Sequence, residues 1–494
     1  MVDDALTGKI TLNGYDFYVD SNNNVLDYSG PVGTDTPEKS TTATAFDRSN
    51  GRIDIVFLNG TGYSVTSTPN KPALDNTMVP VYYDTTSSSW IVCSETDSNW
   101  YDYQATDVSR AGTAAGDTKQ SKWANVMLTD DIVVQKNGTT YNAAQIKELL
   151  TANNLSSIVG AKVTTEGSML VWIPRYAYKI TYYSSHAKTV ETIIGYSDSR
   201  GFVDTAGKTP SDMQTPTTSI NVNGTIGTTN YEYYRPHPAF ETDLNQGGWR
   251  TRITGIWVGK FNITGNNNAV TTKSLSDTVV LQNQKIGILY NSIKNHFKAG
   301  TKESHMIKNS EWGAFVYLAE SKYGRNEVKI ARNTSSNLYT GAGNYRANLE
   351  QSTTGNIYGV YDTVGPVFEH VASYIANNTN TNGYQFAADD GLSTTNNNKT
   401  QSTPYATVYA YDSTFDTDVS NYKLNLNKVF GDAICETSTN GTGEGAWYSS
   451  YSIFANSSTP FFGRSGGWNV SSASSFYFNT LSYGCSSRVI CIVK

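Results

Sequence analysis

Charge is the first thing this sequence is short of. Only 16% of its 494 residues are Asp, Glu, Lys or Arg, against about 25% in average proteins. That argues against a coiled coil, whose flanking heptad positions carry charge. The net charge is −6 and no basic stripe interrupts the chain, which excludes a sequence-independent nucleic-acid binder. Cysteine is scarce too. Cys93, Cys435, Cys485 and Cys491 are too few for a disulfide scaffold and lack the paired spacing of a zinc site. No apolar run approaches the ~18 residues of a membrane span. Met1-Val-Asp-Asp is not a basic-then-apolar leader, so the expectation is export without a signal, or a start after a removed one. What is abundant is tyrosine: 34 Tyr nearly equal 37 Lys and Arg, and aromatics reach 12%. A charge-rich disordered chain is poor in aromatics, so that class is excluded.

The length suggests two to four domains. Ile10 to Val19 holds an Asn-Gly turn between apolar runs, a hairpin signal, and Arg52 to Leu58 reads as a strand. Asp20-Ser-Asn-Asn-Asn24 loosely matches a calcium loop, but Val25 stands where a glycine is needed, so a turn is the reading. Residues 1–70 are therefore taken as a β-rich attachment unit. Residues 71–160 are taken as a second small β unit, with strands at Met78–Tyr83 and Ser89–Cys93 and a helix over Ala143–Asn153. From 161 the character changes. Met169 to Ile180 is a strong strand with Pro174 marking a bulge or edge, and Thr254 to Ile263 is another. Asn309 to Ser321 predicts an amphipathic helix capped by Asn309 or Ser310, with Trp312, Phe315, Val316 and Ala319 on one face. Residues 198–230 and 375–404 read as loops, and the tail ends in a strand from Arg488. The fold class is α+β, mostly β, with one or two helices against irregular antiparallel sheets.

Catalytic motifs are thin. Gly463-Arg-Ser-Gly-Gly467 fits the nucleophile-elbow spacing, but an aromatic β-like segment follows where a helix is required. His186, His237, His296, His305 and His370 have no metal-ligand spacing. No phosphate-binding loop is present. Cofactors are expected to be none; calcium in the Asn/Asp-rich 375–404 stretch stays an alternative to a solvated loop.

Five ordered blocks carry a resemblance. They are Gly255-Ile-Trp-Val-Gly-Lys-Phe-Asn-Ile-Thr264, Ile307 to Leu318 with Trp312, Thr354 to Val371, Arg464-Ser-Gly-Gly-Trp468, and Ser487-Arg-Val-Ile-Cys-Ile492. Together they resemble the C-type-lectin-like fold of the formylglycine-generating-enzyme superfamily, over 161–494. Pro366 and Ser487 stand where that family has Asn and Phe. The resemblance marks Trp257, Gly259, Trp312, Gly355, Asn356, Gly359, Asp362, Gly365, Glu369, Arg464, Gly466, Gly467 and Arg488 as structural positions. Glu369 reads as a buried hydrogen-bond anchor, which needs paired partners. More narrowly, Val171–Ile180, His237–Phe240, Gly255–Phe261, Ser304–Gly324 and Glu436–Tyr448 resemble the variable proteins of diversity-generating retroelements. In that family a rigid lectin-like scaffold displays a C-terminal cluster of side chains, diversified at adenines, that binds a target.

The tail itself adds a hint. From Tyr448 to Ser487 there is no Lys, Glu, Gln or Met. Nearly all its residue types are reachable by mutating adenines in codons that end in a pyrimidine. Tyr and Trp give rigid contact area while Ser, Gly and Asn give adaptable hydrogen bonds, as in antibody loops. The variable region is set at about 447–487. Its outer face is expected at Trp447, Tyr451, Ile453, Trp468, Val470, Ser471, Ser472, Ser475, Tyr477, Asn479, Leu481 and Tyr483. Phe461, Phe462, Phe476 and Phe478 are expected in the core. The expected function is a non-enzymatic binder of a protein or glycan on a target surface, extracellular, cell-surface or virion-associated, with assembly through the N-terminal units left open. Its rivals are an oxidase of the formylglycine-generating type and a structural fibre subunit. The cysteines are read as buried inert thiols, with a Cys485–Cys491 bridge as the other option.

Overall fold

The computed structural model describes residues 8–12, 15–19, 25–31, 51–62, 65–104, 121–184, 187–192, 225–226, 229–230, 234–274, 276–297, 300–376, 402–409, 430–438, 445–456, 459–480 and 485–493. The two candidate calcium loops and most of the 198–230 loop lie outside them. The chain is mostly β with a few helices. The predicted N-terminal hairpin is present: Gly8–Leu12 pairs antiparallel with Tyr15–Val19, Leu12 opposite Tyr15, and Val25–Pro31 adds a third strand.

A ten-stranded sheet runs through the molecule. Its order is Thr139–Tyr141, Val133–Lys136, Lys162–Thr165, Ser89–Val92, Met78–Asp84, Asn125–Leu128, Met169–Pro174, Gly255–Gly259, Val489–Val493, Lys302–Met306. Asn125–Leu128 is hydrogen-bonded to Met169–Pro174, with Leu170 opposite Val126, so strands from both sides of 160/161 share one sheet. Gly51–Leu58 likewise pairs with Tyr176–Ser184 over seven residues. The sequence suggested separate units because turn-rich stretches part the strand groups, but strand pairing ignores sequence distance.

The long strand expected over Met169–Ile180 is two strands. Pro174 ends the first, and at Arg175 the chain crosses to a second sheet containing Gly51–Leu58. Arg175 is fully buried at this corner, where it pairs with Glu241. Proline cannot donate a ladder hydrogen bond, which suits a strand end. In Gly51–Leu58, Ile53, Ile55 and Phe57 are buried and alternate with half-buried neighbours, as a strand with one face on the core should.

Three α-helices are described. The first, α1 (Ala143–Thr151), is capped by Asn142, whose side chain takes the Gln145 amide while Gln145 returns a bond to the Asn142 amide. The second, α2 (Ile286–His296), was not anticipated. Its signal was there in Ile286, Leu289, Tyr290 and Ile293, all buried on one face. The third, α3 (Asn309–Glu320), is buried along its whole length rather than on one side. Its N-cap is Lys308, not Asn309 or Ser310, and Glu311 accepts the Lys308 amide at 2.9 Å. A Cβ at Gly313 would stand 1.8 Å from the Gly431 carbonyl oxygen, so only glycine lets α3 approach that backbone.

The anchor positions converge inside. Glu369 and Arg488 are both fully buried and paired at 2.6 Å. Arg488 also donates to the carbonyls of Gly259 at 2.7 Å and Tyr361 at 2.9 Å, and Asn262 donates to Glu369 at 2.6 Å. Asp362 accepts from Asn333 and from the Gly341 amide. Asn356 accepts from Thr354 and donates to the Ser121 carbonyl. Trp257 packs on Trp172 with ring centroids 5.2 Å apart. Lys260 lies fully buried and donates to Asn125 and to the carbonyls of Ile357 and Gly359, with Trp90 and Tyr361 rings around it. Three acceptors match the three N–H bonds of an ammonium.

Candidate ligand-binding face

The C-terminal sheet positions this face. Its order is Thr407–Tyr409, Glu369–Ile375, Phe461–Arg464, Phe478–Thr480. Phe461, Phe462, Phe476 and Phe478 are buried as expected. Arg464 is buried as well; it donates to the Ala433 carbonyl and its guanidinium lies 5.5 Å from the Trp312 ring and 5.8 Å from the Phe478 ring. Gly466 sits at φ 76°, and a Cβ there would meet Ala473 at 2.5 Å. Gly365 also has positive φ and precedes a cis Pro366.

Three of the expected face residues belong to the interior. Trp447 is fully buried and packs on Phe476 at 5.0 Å between ring centroids. Ser475 is buried, and its carbonyl accepts the Trp312 indole at 3.0 Å. Tyr477 is 2% exposed, wedged between Phe368 and Tyr451. Between 465 and 478 the chain makes turns rather than a regular strand, so a period-two assignment of faces fails there. Leu481 and Tyr483 lie outside the described residues.

The other seven reach the surface in part or fully. Trp468 is 39% exposed, one of three large hydrophobics so exposed among the described residues. Ser471 is exposed; Tyr451, Ile453, Val470, Ser472 and Asn479 are half-buried. Their backbone is pinned. The Trp468 amide donates to the Pro366 carbonyl at 2.7 Å, the Tyr451 amide to Ser472 and the Ile453 amide to Phe478. Tyr451 stacks on Tyr477 with ring planes 25° apart. Side chains on such a frame present area without a large ordering cost on binding.

Sequence reasoning missed Phe368 and Arg332. Phe368 is half-buried and lies 3.5 Å from where a Cβ on Gly467 would stand. Arg332 donates from Nη1 to the Val470 carbonyl. Both are far from 447–487 in sequence, and nothing local in their segments marks them.

No group of metal-ligating side chains is found among the described residues. Cys93, Cys485 and Cys491 are buried free thiols, which corrects the alternative of a Cys485–Cys491 bridge. Burial pushes all three thiols up, Cys491 to about 12. A thiolate nucleophile needs the opposite shift. No helix of the described residues is long and apolar enough to cross a membrane. No protein-family model matches the chain, and no curated protein is significantly similar to it.

Proposed function

We propose that the chain is a non-enzymatic ligand-binding protein whose contact face is built from Trp468, Val470, Ser471, Ser472, Tyr451, Ile453 and Asn479. The observation that carries this reading is Trp468: a large exposed aromatic on a backbone tied down by hydrogen bonds, at the head of a short outward stretch between the buried runs 461–467 and 473–478. Exposed aromatics are enriched at binding hot spots. Residues of the same segment divide between a buried set, Trp447, Phe476 and Phe478, and an outer set whose side chains reach solvent in part or fully. That division suits a diversified lectin-like scaffold of the retroelement type. The high pKa of the described thiols weighs against thiol-based oxidase chemistry. A target-binding role at a cell or virion surface follows from the same resemblance.

The test is to sequence the coding region across a population of the source cells. Substitutions are expected to concentrate in the codons for Tyr451, Ile453, Val470, Ser471, Ser472 and Asn479, at positions where a near-copy of the coding end carries adenine. Codons for Trp447, Phe476 and Phe478 should be constant. Variation spread evenly over 447–487, core codons included, overturns the reading.

A further inference from the structure

Lys260 and Asn125 meet in the interior from two strands that do not pair with each other. Asn125 opens Asn125–Leu128 and Lys260 follows Gly255–Gly259; Met169–Pro174 runs between them, with Val171 opposite Asn125 and the Lys260 amide on the Met169 carbonyl. Both side chains are fully buried. The Lys260 Nζ lies 2.8 Å from the Asn125 Oδ1, 2.6 Å from the Ile357 carbonyl oxygen and 3.0 Å from that of Gly359. The Asn125 Nδ2 donates to the carbonyls of Trp123 and Tyr358 at 2.9 and 2.8 Å, so the carbonyl side of the carboxamide is the one turned to the lysine. No carboxylate pairs with Lys260 among the described residues. The one that bears on it, Glu166, is taken by Arg346 and by the Tyr345 hydroxyl. Three oxygens and the nearby rings cradle a cation here, but with no carboxylate in contact its charge stays uncompensated, and a buried uncompensated charge is costly. Burial accordingly holds the ammonium well below its ordinary range. As a neutral amine Lys260 keeps two hydrogens, which the two backbone carbonyls take. Its lone pair then points along the third direction, at the Asn125 carboxamide.

We propose that Lys260 and Asn125 become joined by an intramolecular amide bond. The Nζ–Cγ bond forms and the Cγ–Nδ2 bond breaks; one amine hydrogen passes to Nδ2, and ammonia leaves. No oxidant, reductant or cofactor is needed. The fold holds the two groups in contact, which replaces a chance encounter, and the burial of both keeps water from competing for the carboxamide. The bond closes residues 125–260 into a loop that ties Asn125–Leu128, Met169–Pro174 and Gly255–Gly259 together. A crosslink of this kind stabilises mainly by limiting the unfolded chain. The inference is independent of the binding face.

The test is peptide mapping by mass spectrometry of the full folded chain, denatured and then cut with trypsin. Trypsin does not cut after an acylated lysine. The expected product is a branched peptide joining residues 123–136 to 253–273, uncut after Lys260 and one ammonia lighter than the two together. Fragment spectra should place the branch at Asn125, which separates it from ammonia lost at an Asn-Gly turn such as Asn137-Gly138. Asn125→Ala and Lys260→Met should each give linear peptides only, and the native chain should run faster than either on a denaturing gel. Cleavage after Lys260 with Asn125 unmodified in the native chain overturns the proposal, whatever the variants do. So does a branched peptide that persists in Asn125→Ala.

Discussion

Replacing Arg488 by Met is expected to leave little folded protein at ambient temperature. The guanidinium is fully buried and uses its planar fork to reach three elements at once. It meets Glu369 at 2.6 and 3.3 Å, the Gly259 carbonyl and the Tyr361 carbonyl. Methionine fills similar volume but returns none of these bonds. Glu369 would then be a buried carboxylate with Asn262 as its remaining polar contact, and burial already pushes its carboxyl up against the pull of Arg488. Breaking a buried pair by removing one partner costs about 3–5 kcal/mol. The two orphaned carbonyls add about 1–3 kcal/mol each. Against a total stability of about 5–15 kcal/mol, that is most of the fold. Removing the second charge should help: Arg488→Met with Glu369→Gln is expected to be more stable than Arg488→Met alone, since the unpaired charge is gone. Urea unfolding of the three variants decides it. A single variant within about 1 kcal/mol of the native chain would show that this pair does not hold the sheets together.

The residues of that anchor were legible because each sits in a short, ordered block with glycines and a carboxylate in fixed relation. Strands were legible where one face is buried, as in the alternation of Ile53, Ile55 and Phe57. What the sequence could not convey was adjacency. Asn125–Leu128 lies beside Met169–Pro174, and Lys302–Met306 beside Val489–Val493, through backbone bonds that leave no mark on side-chain type. The face was only half legible for a related reason. Trp447 and Trp468 look alike by composition and neighbourhood. Trp447 is committed to the interior by Phe476, while Trp468 is held outward by the Pro366 carbonyl. Arg332 reaches the Val470 carbonyl from over a hundred residues away, which no local pattern encodes.

Stability is expected to fall as pH rises from about 5 to about 8, with the maximum on the acid side of neutrality. Burial raises Glu320 to about 8, Asp432 to about 7 and Asp362 to about 6, from ordinary values of 4.5, 3.8 and 3.8. For Glu320 burial is the largest cause. The Tyr448 hydroxyl, which reaches both Glu320 and the Glu327 carbonyl oxygen, pulls the carboxyl down, the Glu327 carboxylate raises it and Arg325 lowers it, and burial outweighs the two that lower it. Each raised carboxyl binds its proton in the folded chain after the unfolded chain has released it. Its contribution is whole below the unfolded value and is lost as pH climbs through the folded one, at about 1.4 kcal/mol per pH unit per proton. His370 opposes them. Burial lowers it to about 4 from 6.5, so its contribution is lost as pH falls through that range. Burial would raise Glu311 too, but His305 and Lys308 outweigh it and hold that carboxyl low, a second small opposing term. At about pH 5 three raised carboxyls stand against His370, and the excess shrinks as Asp362 and then Asp432 release their protons; Lys260, which as a free amine burial holds well below its ordinary range, is a further opposing group. Urea midpoints at pH 5, 6, 7 and 8 should decline in that order, and Glu320→Gln, whose amide can still donate to Tyr448, should flatten the decline above pH 6. Midpoints that rise with pH would mean these carboxyls are ionised in the fold, with water or counter-ions reaching Glu320 beneath Tyr448.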